Sequence, residues 1–297
     1  MIRLAAQSDF PLVSQRLEEV DLDSGATFIL DSLYLPQFLG KPFPFESQRH
    51  ALLLHGLPAR GLDTPGLGDF LEKMRLVFVP GVLFSQSLSS RFPSVSVVVV
   101  EPGVDGAFLS VKRRLASSRS LSLVTVASLQ MGKRPLELLA LLAKTSGDWT
   151  WDWIGETGLD SGLRRHFLDD VSRYRLEGRV RLHSAMSQDR LAGFLAGMDL
   201  MLFASCHETY GMAIAEAQAM GLPVLTTNVG DAGRLVRDGF TGRLVSGGLV
   251  EFGYQLEKIL EDPEILSDWR RNVPQEKPRV WADGFGDLTR MLSLHLS

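Results

Sequence analysis

The chain has a single cysteine, Cys206, in 297 residues. Neither an intramolecular disulfide nor a zinc site built from cysteines can form, and a reducing cytoplasm suits the sequence. Excess basic charge is lacking as well. Lys and Arg number 31 against 35 Asp and Glu, a formal net charge of −4, so there is no overall basic field for wrapping nucleic acid and no RNA- or DNA-binding signature. No apolar run approaches the ~18 residues of a membrane span. In MIRLAAQSDFPLVSQ, Gln7, Ser8 and Asp9 interrupt what would have to be the apolar core of a signal peptide. The expectation is a cytoplasmic protein with no nucleic-acid partner, with peripheral contact at a membrane left open. Glycine is scarce at the start: residues 1–25 contain only Gly25, so that stretch holds no strand, Gly-Gly turn and helix in succession.

What remains is ordinary globular material, 45% hydrophobic and 22% charged, in a chain long enough for two domains with separate cores. Short runs that are apolar almost throughout recur along it: TFILDSLYL, HALLLHGLP, RLVFVPG and SVSVVVVEPG, then LSLVTVASL, WTWDWIG, RVRLHSA, LMLFAS, PVLTT and GRLVS. Such runs are what strands of a parallel sheet covered on both faces look like. Helical patterns at 133–144, 161–176, 187–197 and 211–220 alternate with them, giving a βαβ chain built twice over. FLSVKRRLASSRSL (108–121), with Lys112, Arg113, Arg114 and Arg119, lies between two apolar strands and reads as a solvated linker between the halves. The alternative is that these cations face a cleft and meet an anion.

Glu208 and Glu216 stand eight positions apart in ASCHETYGMAIAEAQAMGLPVLTTNVG (204–230). The first lies on a loop leaving a strand and the second inside the helix that Gly211 opens. At about 1.5 Å of rise per residue, roughly 7 Å of helix separates its start from Glu216, so one ligand can reach both carboxylates. Backbone N–H groups at Tyr210, Gly211, Met212 and Ala213 would meet an anion at the helix N-terminus, where unpaired donors and the dipole favour it. Two glutamates at this spacing are usually a solvated face. Here the spacer is small and apolar, Gly221 supplies a C-cap, and Pro223 opens a second apolar strand.

This run closely resembles the donor-binding signature of family 4 retaining glycosyltransferases: Glu-x-[Phe/Tyr]-Gly, a short run to a second Glu, then Gly-x-Pro-Val and a Gly-rich turn. The resemblance covers roughly residues 50–245, including VVVVEPGVDGAFL (97–109), LVTVASLQMGKRPLELLALLAK (123–144) and DWIGETG (152–158). It implies an α/β protein of the GT-B-like class, two Rossmann-like halves with parallel sheets, the first half truncated. The expected divisions are a shortened N-terminal acceptor-side domain at 1–110, a nucleotide-sugar domain at 111–278 and a C-terminal helix at 279–297 packing back on the first. The implied activity is transfer of a sugar, of hexosyl type, from a nucleotide diphosphate sugar to an unidentified saccharide, lipid or small-molecule acceptor, with retention and without a metal or other cofactor. Glu208 would hold the sugar hydroxyls, residues 210–213 the phosphates and Glu216 the ribose.

The resemblance also places a Lys and an Arg on the loop after the second half's first strand, to neutralise the diphosphate. The Lys aligns as Lys133; the Arg position carries Ser128, although Arg134 is adjacent. His55, in LLLHGLP, ends a strand where relatives place a His near the transferred sugar; a lone His there is more often a structural residue. The N-terminal side departs from the pattern, since the family's opening strand and glycine-rich loop have no counterpart. Segment 1–25, the C-terminal RVWADGFGDLTRMLSLHL (279–296), a partner subunit or a second copy would then cover the first sheet. Alternatives are a non-catalytic nucleotide-sugar-binding protein or partner subunit, and a sugar-nucleotide epimerase, phosphorylase or hydrolase of related fold.

Overall fold

A computed structural model describes residues 28–39, 50–57, 60–112, 120–273 and 278–296. Segment 1–25 and the cations Arg113, Arg114 and Arg119 lie outside the described residues. The chain divides into two compact units, one running to Glu101 and resuming at Asp283, the other spanning Pro102–Ala282.

The first unit is a four-stranded parallel sheet in the order β1-β2-β3-β4: β1 (Phe28–Asp31), β2 (His50–Leu53), β3 (Leu76–Val79) and β4 (Val97–Val99). TFILDSLYL is a strand only to Asp31. Asp31 then accepts from the Leu33 N–H at 2.9 Å and turns the chain into a 3₁₀ turn and the short helix α1 (Leu35–Phe38). Alternation of side chains decides what each face buries. Leu52, Val77 and Val79 pack on one face with Leu35 and Phe38, with Phe70 of α2 (Leu67–Leu71) and with Leu88 of α3 (Val82–Arg91). The other face presents Ala51, Leu76 and Phe78.

The second unit is a six-stranded parallel sheet in the order β10-β9-β8-β5-β6-β7. Its strands are β5 (Leu121–Val126), β6 (Trp149–Ile154), β7 (Val180–His183), β8 (Leu200–Phe203), β9 (Val224–Thr227) and β10 (Gly242–Val245). Its helices are α4 (Ala107–Ser110), α5 (Pro135–Leu142), α6 (Ser161–Arg173), α7 (Gln188–Leu195), α8 (Met212–Ala219), α9 (Ala232–Leu235), α10 (Gly248–Glu261) and α11 (Glu264–Asn272). On one face Leu123, Leu202 and the fully buried Trp149, Trp151 and Trp153 pack with Phe167 and Phe252; on the other Val124, Met201 and Phe203 pack with Ile214 and Ala217 of α8. Asp152, between two of the tryptophans, is fully buried and is offset by Arg181, which donates to both its oxygens at 2.7 Å, and by His183 at 2.6 Å. A buried carboxylate survives when paired in this way.

The junction between units falls before Pro102, ahead of the 110/111 division expected from the charge run. The reason is packing: Ala107 and Phe108 of α4 are buried in the core of the second unit beside α7 and α8. Val104 likewise pairs with Val280, its N–H donating to the Arg279 carbonyl at 2.8 Å. The final helix α12 (Trp281–Leu296) sets Leu288, Met291 and Leu292 against Ala51, Leu76 and Phe78. That spacing gives one helical face. Trp281 and Phe285, on the same helix, are exposed.

Candidate functional site

In the larger sheet, β5 has β6 on one side and β8 on the other, so the direction of winding reverses between β5 and β8. Open α/β sheets bind ligands at the carboxyl ends of their strands at such a switch point. The loops that leave these two strands are 127–134 and 204–211, and they carry the sequence candidates.

Those loops are joined by hydrogen bonds. The Cys206 N–H donates to the Gly132 carbonyl at 2.8 Å, while within the second loop the Ser205 hydroxyl donates to Glu208 Oε1 at 3.1 Å. Lys133 ends a 3₁₀ turn (Met131–Lys133), and its ammonium pairs with Glu208 Oε1 while lying 5.3 Å from the Phe203 ring centroid. Both partners are largely withdrawn from solvent, with side chains 25% and 13% exposed, which lowers screening and strengthens the pair. Two candidates 75 positions apart in sequence are therefore in contact. Arg134, at a left-handed φ of 56°, caps the N-terminus of α5 and sends its Nε to Cys206 Sγ at 2.9 Å.

Glycine at two positions shapes the Glu208 loop. Gly211 has φ +106°, a conformation that L side chains rarely adopt, and its carbonyl accepts the first bond of α8, from the Ala215 N–H at 3.0 Å. The first-turn N–H groups that follow, at Met212 and Ala213, have no intrahelical acceptor and carry the positive end of the helix dipole. Gly230, φ +51°, runs so close to Glu208 that a Cβ there would sit 2.2 Å from the Glu208 carbonyl oxygen. Tyr210 buries its side chain.

Glu216 lies in the second turn of α8 and is 8% exposed. Burial first, and the nearby Asp105 carboxylate second, push its pKa up to about 7. The group therefore changes charge near neutrality. Nothing in the spacing of Asp105 along the sequence signals its proximity to Glu216.

His55 belongs to the first unit and follows β2. Its Nε2 is 3.1 Å from Asp31 Oδ2, and its N–H donates to the Ser32 hydroxyl oxygen at 3.1 Å. Asp31 and Ser32 sit at the carboxyl end of β1, beside β2 in the sheet, so parallel pairing brings the three residues together. Sequence reading found the His and missed both partners.

Two parallel α/β units of this construction define the GT-B class of glycosyltransferase folds. Sucrose-phosphate synthase from Thermosynechococcus elongatus matches 96% of this chain and 78% of its own at a TM-score of 0.76 and 18% identity. The Anabaena protein HepE, in a complex with UDP and glucose, matches 96% of this chain and 80% of its own at 0.73 and 17%. By sequence, residues 123–262 match the family Glycosyl transferases group 1. The D-inositol 3-phosphate glycosyltransferase of Arthrobacter sp. (strain FB24) is 32% identical over 167 residues, 55% of this chain and 35% of that protein. The chain thus spans about a third of the length of the curated relatives it matches.

Proposed function

We propose that the protein transfers a sugar, of hexosyl type, from a nucleotide diphosphate sugar to an acceptor with retention at the anomeric carbon. The observation that carries this reading is the Lys133–Glu208 pair beside the N-terminus of α8, with buried Glu216 one turn further on. The family match supports the reaction class, and the UDP and glucose of the HepE complex support a nucleotide sugar as donor.

In this reading the diphosphate lies on the N–H groups of residues 210–213 and draws Lys133 toward it, so that cation and helix dipole stabilise charge on the departing nucleotide. No metal or other cofactor is assigned a step. Glu208, released from Lys133, accepts from sugar hydroxyls, and Glu216 accepts from the ribose. Arg134, beside Lys133 and in contact with Cys206, adds a second cation for the donor diphosphate. A front-face reaction passes the acceptor proton to the leaving phosphate, so no protein base takes part. The acceptor is a saccharide, a lipid or another small molecule, and the reaction belongs to the cytoplasm or its membrane surface.

Incubating the chain with a panel of nucleotide sugars, with and without pooled acceptors of those three kinds, tests the proposal. Acceptor-dependent release of nucleoside diphosphate, with the product's anomeric configuration equal to the donor's by NMR, is expected. Binding without turnover would instead identify a nucleotide-sugar-binding subunit, and an inverted product would refute retention.

A further inference from the structure

Asp105 is fixed from both sides along the chain. Before it, Val104 pairs with Val280 and donates its N–H to the Arg279 carbonyl at 2.8 Å, and Gly103 runs so close that a Cβ there would sit 1.9 Å from the Val280 carbonyl carbon. After it, the Asp105 side chain turns back on α4, where Oδ1 accepts from the Ala107 N–H at 2.8 Å. An Asx turn of this kind holds the carboxylate in one place.

α4 in turn lies against α8, and both belong to the second unit. Ala107 and Phe108 share a buried core with Ala217 and Met220, and Ala213 packs on it. These three residues of α8 stand one and four positions after Glu216 and three before it, so α4 borders the helical face that carries Glu216. The charged groups on other elements around α8 are engaged elsewhere or exposed. Lys133 pairs with Glu208, Arg134 reaches Cys206, Arg234 of α9 lies 3.8 Å from Asp231, and Asp189 and Arg190 of α7 are exposed. His207 and Tyr210 occupy the loop before α8, while β8 and β9 carry no ionisable side chain. Among the described residues Glu216 makes no ion pair; after burial itself, the Asp105 carboxylate is the charge that acts on it.

We infer that Asp105 is a positioning residue for the nucleotide site: it acts through Glu216, setting the pH at which that carboxyl becomes an ionised acceptor for ribose hydroxyls. This rests on the reading of Glu216 as the ribose contact. A like charge nearby disfavours ionisation, so Glu216 keeps its proton to a higher pH than burial alone would impose. The site then captures nucleotide less well as its surroundings acidify, and Asp105 fixes where that loss begins.

The test follows Glu216 directly. In the full chain labelled for carbon NMR at the glutamate carboxyls, the signal missing from Glu216→Gln identifies the group, and its titration is read for the parent, Asp105→Asn and Asp105→Ala. Asn keeps an oxygen for the Ala107 N–H and Ala does not, which separates charge from local structure. The midpoint, about 7 in the parent, should fall by about half a pH unit or more in both variants. Calorimetry with uridine, adenosine, guanosine, cytidine and thymidine diphosphates then shows whether the nucleotide site follows. For whichever of them binds, Asp105→Asn should bind about threefold tighter than the parent at pH 6, the two converging above pH 8. An unmoved midpoint, a shift confined to Asp105→Ala, or a gain in affinity equal at every pH would overturn the inference. A midpoint shifted as expected with no binding by any of these nucleotides would refute the ribose contact, and the role of Asp105 at a nucleotide site with it, while showing that Asp105 acts on Glu216.

Discussion

A carboxyl group with a pKa of about 7, as at Glu216, lowers stability when it ionises. Its folded value lies above the ordinary 4.5, so between these pH values the folded chain binds more protons than the unfolded one. Stability therefore falls as pH rises through this window, and the cost is complete above about 7. At about 1.4 kcal/mol per pKa unit it reaches roughly 3 kcal/mol. Glu216→Gln should accordingly be the more stable protein in urea melts at pH 8, with the difference closing toward pH 4; parallel pH profiles would contradict the burial argument. If Glu216 accepts from the ribose only when ionised, nucleotide affinity should fall below pH 7, approaching tenfold per pH unit in titrations at stepped pH. Glu208→Gln preserves shape and removes charge. It should leave free-nucleotide affinity nearly unchanged while transfer falls by a hundredfold or more, because an oriented charge counts most in the transition state. Transfer at the parent rate would remove Glu208 from the mechanism.

At the scale of elements, the strands of both sheets were legible because apolar runs bounded by turn residues leave little else to form, and Gly211 and Gly221 marked the ends of α8. The pairing of Lys133 with Glu208 was not legible, nor was that of Asp31 with His55, since each depends on which strands become neighbours. The reach of Arg134 to Cys206 has the same origin. The Glu208 loop also depends on Gly230, where any side chain meets the Glu208 carbonyl. Gly230→Ala should cost more than the ~1–2 kcal/mol of left-handed backbone alone, visible as a lowered Tm together with lost transfer; a parent-like Tm would show that the loop yields easily. For α12, packing back on the first unit was expected from the resemblance; Leu288, Met291 and Leu292 are among the residues that meet the sheet, while Trp281 and Phe285 are exposed. Ending the chain after Pro278 strips Ala51, Leu76 and Phe78 of this cover, and the product should aggregate in size-exclusion chromatography. A soluble, equally stable monomer would contradict that role.

For the molecule as a whole, the central claim is that the sheet reversal between β5 and β8 builds a nucleotide diphosphate site. Calorimetric titration of the full chain with a panel of nucleoside diphosphates, repeated for Glu216→Ala, tests it most directly. The account predicts one saturable site for at least one nucleotide, weakened in the folded variant by the ~1.5–3 kcal/mol typical of hydrogen bonds to a charged group. No binding by any nucleotide, or an affinity untouched by Glu216→Ala, would contradict it.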